Sequence, residues 1–125
     1  MKKIDTKTRE ALGHDMTIDI TTIGRRSGRP RRIEIWIHDL DGRLYLTGSP
    51  GRRSWYANLQ AQRRFTLHLK RSVHADLAAR AIPIKDTEAK RQILSVILRR
   101  LGRSRDLESW VQRSPLAEVV LEAQG

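Results

Sequence analysis

The sequence predicts a mainly β (α+β) fold, a six-stranded antiparallel barrel with a few helices. Apolar and polar residues alternate in residues 16–23, 32–38 and 43–47, the period of half-buried strands. Short turn signals separate these segments, and Asp41-Gly42 is a strong hairpin signal. Apolar residues in 86–101 recur instead at helical spacing, so this stretch predicts an amphipathic helix.

The first three strands form an antiparallel meander. In the second strand Ile33 and Ile35 share one face, and Glu34 and Trp36 lie on the other. The later elements follow in order: a short helix over 54–62 with Ser54 as its N-cap, strands over 65–70 and 74–84, the helix 86–101, a short helix over 106–112 and a last strand over 116–121.

The length of 125 residues is close to the commonest domain size, so we expect a single domain over 1–125. Within it, residues 1–15 form an N-terminal segment. Residues 16–84 form the main sheet, and residues 85–125 form a helical segment with the last strand. We find no signal peptide and no apolar run long enough to span a membrane, so we expect a cytoplasmic protein.

The net charge is +11, and 19 of the 25 basic residues are arginines. This balance predicts an anionic partner, either nucleic acid, anionic lipid or a phosphorylated or carboxylated small molecule. The alternative is an arginine-rich solvated surface with no specific partner. Cysteine is absent, which excludes disulfides, iron–sulfur clusters and thiolate zinc sites.

Five of these arginines lie in the segment TTIGRRSGRPRR, residues 21–32, at the predicted turn between two strands. Turn amides, the Ser27 hydroxyl and guanidinium groups could together bind a phosphate. Gly24 and Gly28 would allow the backbone to approach it closely. A strand follows where a nucleotide P-loop would need a helix, so the segment is not a P-loop. A merely charged turn explains the pattern equally well.

A second segment, SPGRRSWYANL, repeats these ingredients just before a predicted helix, whose N-terminus favours anions. Trp55 is either a core anchor of that helix or part of a ligand site. Asn58 could donate to a ring carbonyl or could cap a loop.

The remaining polar residues give no convincing catalytic set. The four histidines have no metal-ligand spacing, so we expect no metal site. Glu34 is either an acid–base group or a charge on the solvent face of a strand. Because no nucleophile or proton-transfer pair is evident, catalytic residues stay unknown, and we expect that a cofactor carries any chemistry.

Residues 21–70 resemble the deazaflavin (F-420)-dependent nitroreductase family, whose members are flavin-binding split β-barrels similar to pyridoxamine-phosphate oxidase. The motifs that carry the resemblance are TTIGRRSGRPR, DGRLYL, SPG and SWYANLQAQRRFTLHL. The resemblance implies an oxidoreductase that binds coenzyme F-420, a deazaflavin with a phosphodiester and a glutamate tail. Hydride transfer would reduce a small electron-poor acceptor such as a quinone, an enone or a nitro compound.

The resemblance also implies the residues that would bind the cofactor. Arg26, Ser27, Gly28 and Arg31 would lie along the phosphate and tail, and Ser49, Gly51 and Arg53 along the same groove. The deazaflavin ring would contact Ile33, Ile35, Trp36, Trp55 and Asn58.

Three alternatives stay open. FMN could occupy the same site, because its phosphate suits the same arginines. The barrel could bind a cofactor without catalysis. A nucleic-acid-binding barrel fits the charge but is disfavoured, because the chain has only six aromatic residues and no exposed aromatic pair on a strand. Related split barrels are often dimers, and the apolar strands here are compatible with a homodimer without requiring one.

Overall fold

The protein is described by a computed structural model that covers residues 5–122. Its strands are β1 (Thr17–Ile23), β2 (Pro30–Leu40), β3 (Arg43–Thr47), β4 (Arg64–Lys70), β5 (His74–Pro83) and β6 (Leu116–Leu121). Its helices are α1 (Thr6–His14), α2 (Ser54–Ala61), α3 (Thr87–Arg100) and α4 (Leu107–Arg113), with a 3₁₀ turn at Ser104–Asp106. Residues 1–4 and 123–125 of the two predicted end segments lie outside the described residues.

The six strands close into an antiparallel barrel in the order β1-β2-β3-β6-β5-β4, which confirms the predicted fold class. The meander of β1, β2 and β3 has the predicted turns. At the second turn Leu40 pairs with Arg43, and both Asp41 and Gly42 have positive φ, which is the two-residue hairpin geometry that Asp-Gly favours.

The barrel interior holds the main core. Alternation along each strand turns Ile18, Ile20, Ile37, Leu46 and Leu67 inward, each at most 2% exposed. A second cluster lies outside the barrel, where Tyr45 of β3 packs with Leu94, Ile97, Leu98 and Trp110 of α3 and α4. These helices therefore cover one outer face of the barrel.

Two local predictions differ from the structure. The N-cap of α2 is Arg53, and Ser54 is the first helical residue, so the prediction of Ser54 as N-cap was wrong. Helix α1, which the sequence did not predict, begins after Asp5, whose carboxylate accepts the Thr8 amide at 2.7 Å. The buried face of this helix is short, because it consists only of Thr8, Ala11 and Leu12. Such a short face gives little helical periodicity in the sequence. No helix in residues 5–122 is long and apolar enough to cross a membrane.

Candidate cofactor site

A groove of about 360 Å³ lies between the loop that joins β1 to β2 and the start of α2. We call it the arginine groove. Its lining residues are Thr22, Gly24, Arg25, Arg26, Ser27, Arg31, Ile33, Ser54, Trp55 and Asn58. Two stretches that are distant in sequence, 22–33 and 54–58, therefore meet at one site.

Hydrogen bonds within the β1–β2 loop hold its shape. The Gly24 amide donates to the Arg29 carbonyl and the Gly28 amide donates to the Gly24 carbonyl, both at 2.8 Å. The Ser27 hydroxyl accepts the Arg29 amide at 3.1 Å. Gly28 has φ +70°, and a Cβ on Gly24 would come within 2.5 Å of Ser27 Oγ. The two glycines are thus required by different constraints, one by conformation and the other by space.

Asn58 joins this loop to α2. Its Oδ1 accepts the Arg25 backbone amide at 3.1 Å and the Arg25 guanidinium at 3.0 Å. Its Nδ2 donates to Thr22 Oγ1 at 3.2 Å, and both Asn58 and Thr22 are buried. Of the two roles considered for Asn58, the structure shows the loop cap.

The charge of the groove is positive and uncompensated. Arg26 and Arg31 have no carboxylate oxygen within 4.0 Å among residues 5–122. The neighbouring Arg32 lies on the outer face of the barrel, where it donates to Asp19 at 3.0 Å. Strand alternation therefore separates a free guanidinium in the groove from a paired one outside.

The N-terminus of α2 adds to this positive end. Its N-cap residue, Arg53, makes no side-chain capping hydrogen bond, and Ser54 at the first helical position lines the groove. The first backbone amides of a helix carry partial positive charge and are suited to an anion. The apolar part of the groove is formed by Ile33 and by Trp55, which is 8% exposed and belongs to the barrel core.

The structure brings together six of the residues suggested by the sequence: Arg26, Ser27, Arg31, Ile33, Trp55 and Asn58. The other six do not line this groove: Gly28, Ile35, Trp36, Ser49, Gly51 and Arg53. Trp36 is 50% exposed on the barrel exterior, opposite the face that carries Ile33 and Ile35. Gly51 and Arg53 line a different pocket, and the Arg53 guanidinium donates to the Ser49 carbonyl at 2.8 Å.

Sequence reasoning missed two lining residues, Thr22 and Arg25, whereas Gly24 and Ser54 belong to the two basic segments that it singled out. A signal existed for Thr22, because it continues the inward-facing series of Ile18 and Ile20 along β1. Nothing in the sequence distinguishes Arg25 from its neighbours, since its tie to Asn58 spans 33 positions.

Glu34 lies outside the groove. Its carboxylate pairs with Lys70 on the outer face of the barrel, and Lys70 also contacts Asp19 at 2.7 Å. The hydrogen bond from Lys70, together with that from Arg32, holds the pKa of Asp19 below its ordinary value. Of the two readings of Glu34, the structure favours the charge on the solvent face.

A chain of hydroxyl, imidazole and carboxylate groups crosses the same outer face. Thr21 Oγ1 lies 2.7 Å from His68 Nε2, and His68 Nδ1 lies 2.7 Å from Asp76 Oδ1. These residues belong to the adjacent strands β1, β4 and β5, whose backbone amides pair within the closed barrel. Because those backbone amides donate to neighbouring strands, they are not available to stabilise an oxyanion beside a nucleophile. The three side chains therefore fit a hydrogen-bonded bridge between strands better than a nucleophilic site.

The described part of the chain, residues 5–122, contains no group of three His, Asp or Glu side chains placed to hold a metal. The donor set of the groove fits an elongated ligand with an anionic arm and an aromatic end. Guanidinium, hydroxyl and amide donors would suit an anion at one part, and Ile33 and Trp55 would suit an apolar ring at the other. An F-420 or flavin cofactor has this composition.

Comparison with solved structures shows the same barrel in several proteins. An F420-H2 dependent reductase is 18% identical over 85% of this chain and 95% of the other, with a TM-score of 0.64. HutZ, the heme storage protein from Vibrio cholerae, is 17% identical over 98% of this chain and 93% of its own, with a TM-score of 0.71. A FAD-binding protein from Mesorhizobium loti is 12% identical over 96% and 91% of the two chains, with a TM-score of 0.68. These identities establish a shared fold.

Among curated protein sequences, none matches this chain. The family model described as F420H(2)-dependent quinone reductase matches residues 2–123, almost the whole chain. This match confirms the resemblance seen in residues 21–70, and with it an oxidoreductase whose cofactor is coenzyme F-420. The chain belongs to the F420H(2)-dependent quinone reductase family.

Proposed function

We propose that the arginine groove holds coenzyme F-420 and that the reduced cofactor there reduces a small electron-poor acceptor, such as a quinone, an enone or a nitro compound. The observation that carries this proposal is the pair of uncompensated arginines, Arg26 and Arg31, beside an apolar wall of Ile33 and Trp55. The family supports the cofactor and the class of reaction. The groove residues and the acceptor are our proposal.

When bound, the reduced cofactor supplies a hydride, and a quinone that accepts it together with one proton becomes a hydroquinone. The chain itself contributes binding, orientation and exclusion of water. Arg26 and Arg31 bind the phosphate and carboxylate groups of the tail through charged hydrogen bonds. Ile33 and Trp55 contact the ring and keep water from that part of the groove.

Asn58 is a positioning residue in this proposal. It fixes the backbone of Arg25, and the loop that carries Arg26 and Ser27 begins there. Within residues 5–122, the groove lining contains no Asp, Glu, His or Tyr side chain. We therefore expect the proton that the acceptor takes up to come from solvent.

Two further cofactor readings predict different binding results. An FMN-binding barrel would bind FMN more tightly than F-420, and a carrier would bind F-420 without turnover. The nucleic-acid reading predicts binding of oligonucleotides with a steep salt dependence. Because Arg26 and Arg31 lie in a groove beside an apolar wall, we expect the small-molecule outcome.

A homodimer and a cytoplasmic location stay predictions. Several apolar side chains on the outside of the barrel are compatible with contact between two copies: Trp36 is 50% exposed, and Ile82 and Val120 are each 41% exposed. Sedimentation of the purified protein would give the oligomeric state.

Anaerobic turnover tests the proposal. Reduced F-420 is mixed with the protein and, in separate reactions, with a benzoquinone, a cyclic enone or a nitroimidazole, and re-oxidation of the cofactor is followed by absorbance. We expect turnover with at least one acceptor. Arg31→Gln should raise the KM for reduced F-420, and the matched variant Arg32→Gln, on the outer face, should leave it unchanged. Equal effects of the two variants would remove Arg31 from the site.

A further inference from the structure

A second basic pocket, of about 500 Å³, lies beyond the loop that precedes α2. Its basic lining residues are Arg52, Arg53, Lys85, Lys90 and Arg113, and no acidic residue of the described chain, 5–122, lines it. We call it the lysine pocket. It shares no lining residue with the arginine groove, and residues 51–53 of the intervening loop form one of its walls.

The cations of the lysine pocket have no counter-charge. Within residues 5–122, none of the five has a carboxylate oxygen within 4.0 Å, although Arg91 and Arg103 nearby in sequence both do. Asp86, beside Lys85, is occupied as the N-cap of α3, where it accepts the Ala89 amide at 2.9 Å. A bound anion would supply the counter-charge that these cations lack.

Lys90 is one of the two partly buried cations of the pocket, with Arg53. Its Nζ donates to the Ser114 carbonyl at 2.8 Å, which is a neutral partner, and burial lowers its pKa below the ordinary value. An ammonium group has three N–H donors, so two remain for a ligand after this bond.

Ser114 forms part of the pocket wall. The residue is 3% exposed, and its buried Oγ has no hydrogen-bond partner among residues 5–122. The carbonyls of the α4–β6 connection are all occupied: that of Arg113 accepts the Gly51 amide, that of Ser114 accepts Lys90 Nζ, and that of Pro115 accepts Thr47 Oγ1 at 2.6 Å. The connection is thus tied to three elements, while one buried hydroxyl is left without the partner that such groups normally have.

We propose that the lysine pocket is a second anion site, which binds a phosphate or carboxylate group of a small molecule through Lys90 and Arg113. An oxyanion accepts several hydrogen bonds at once, so it satisfies the ammonium and guanidinium donors together. The group has two sources. It is either a separate anion or the far end of the molecule that occupies the arginine groove.

Calorimetric titration with inorganic pyrophosphate, in a buffer without oxyanions and without cofactor, tests the site. We expect saturable binding that Lys90→Met and Arg113→Gln each weaken at least about tenfold, as expected for loss of a charged hydrogen bond. Arg105→Gln removes one exposed arginine that does not line the pocket, so it is the matched control for net charge and should change affinity less than about twofold.

Three results would overturn the site: no saturable binding, equal weakening by Arg105→Gln, or weakening by Arg31→Gln instead, which would place the anion in the arginine groove. Because Lys90→Met also removes the bond to Ser114, its folding is checked by thermal unfolding, and Arg113→Gln carries the test independently. A final arm adds F-420 to the pyrophosphate complex. If F-420 displaces pyrophosphate, the occupant of the pocket is the far end of the cofactor. If both bind at once, the occupant is a separate anion. Either result supports the site.

Discussion

Asn58 Oδ1 accepts the backbone amide of Arg25 at 3.1 Å, across 33 positions of sequence. This bond joins the start of the arginine-rich loop to the helix that forms the opposite wall of the groove. The same side chain donates to the buried hydroxyl of Thr22 in β1. One amide therefore holds the loop, the strand and the helix at a fixed separation.

Replacing Asn58 should cost both stability and binding. Asn58→Ala leaves the buried Thr22 hydroxyl and the Arg25 amide without their partner, which we expect to lower the free energy of unfolding by about 2–3 kcal/mol. Urea unfolding measures this change, and F-420 titration of the folded protein should show weaker binding. Gln60→Ala, at an exposed position of the same helix, is the control and should have little effect on either. Unchanged cofactor affinity in folded Asn58→Ala would refute the positioning role.

Arg31 and Arg32 are a matched pair, because strand alternation places them on opposite faces of β2. Arg31→Ala should weaken F-420 binding by about 1.5–3 kcal/mol, roughly 10-fold to 150-fold, the range for a charged hydrogen bond. Arg32→Ala loses an exposed ion pair with Asp19 and should leave the dissociation constant within about twofold. A larger loss of affinity from Arg32→Ala than from Arg31→Ala would contradict the assignment of the groove.

Gly28 is required by its backbone conformation. Its φ is +70°, but a Cβ there would meet no atom within 4 Å. Gly28→Ala should therefore destabilise the protein by about 1 kcal/mol through strain in the left-handed region, and Gly28→Asn should cost less, since Asn tolerates that region. Chemical unfolding of the two variants makes the comparison. If Asn proved worse than Ala, side-chain contact would be the cause, not conformation.

The buried His38 predicts loss of stability on acidification. Burial, with a smaller contribution from the Arg100 charge, lowers the pKa of His38 from 6.5 to about 4. The unfolded chain binds a proton at this histidine in the window between those values and the folded chain does not. The folding stability that depends on neutral His38 is therefore fully present above the unfolded pKa, and it is lost as the pH falls toward the folded pKa.

The effect is on the order of 3 kcal/mol once the pH has fallen below the folded pKa. Urea unfolding at about pH 7.5 and about pH 5 should show about 2 kcal/mol of it, because pH 5 lies above the folded pKa. His38→Leu should reduce the pH dependence over that window, although its absolute stability will also change, and His74→Leu, at an exposed position, should not. An equal slope in wild-type and His38→Leu protein would assign the acid sensitivity to other groups.

The fold was predictable because each strand and each turn is indicated by residues that are neighbours in the sequence. Alternation placed Ile33 and Trp36 on opposite faces, and Asp41-Gly42 marked a hairpin that the structure contains. Helix α1 was not predictable from periodicity, since its short apolar face is completed by packing on the barrel. The predicted N-cap of α2, Ser54, lies one residue after the observed N-cap, Arg53. Ser54 has the residue type of an N-cap but is already the first residue of the helix.

The site was predictable only in part. The charge cluster and the motif resemblance identified Arg26, Ser27 and Arg31, which lie in the groove. The same reasoning assigned Gly51 and Arg53 to that groove, whereas they line the lysine pocket. Which side of a loop an arginine occupies depends on tertiary contacts, such as the bonds from Arg53 to the Ser49 and Arg52 carbonyls. Composition and spacing carry no information on those contacts.

Fluorescence titration of oxidised F-420 with the purified protein is the measurement that bears most directly on the arginine groove. FMN and a single-stranded oligonucleotide are titrated beside it at near-physiological salt. The groove predicts saturable binding of F-420, weaker or absent binding of FMN, no oligonucleotide binding, and a loss of F-420 affinity in Arg31→Ala that Arg32→Ala does not share. Oligonucleotide binding without a response to F-420, or F-420 binding that Arg31→Ala leaves intact, would contradict it.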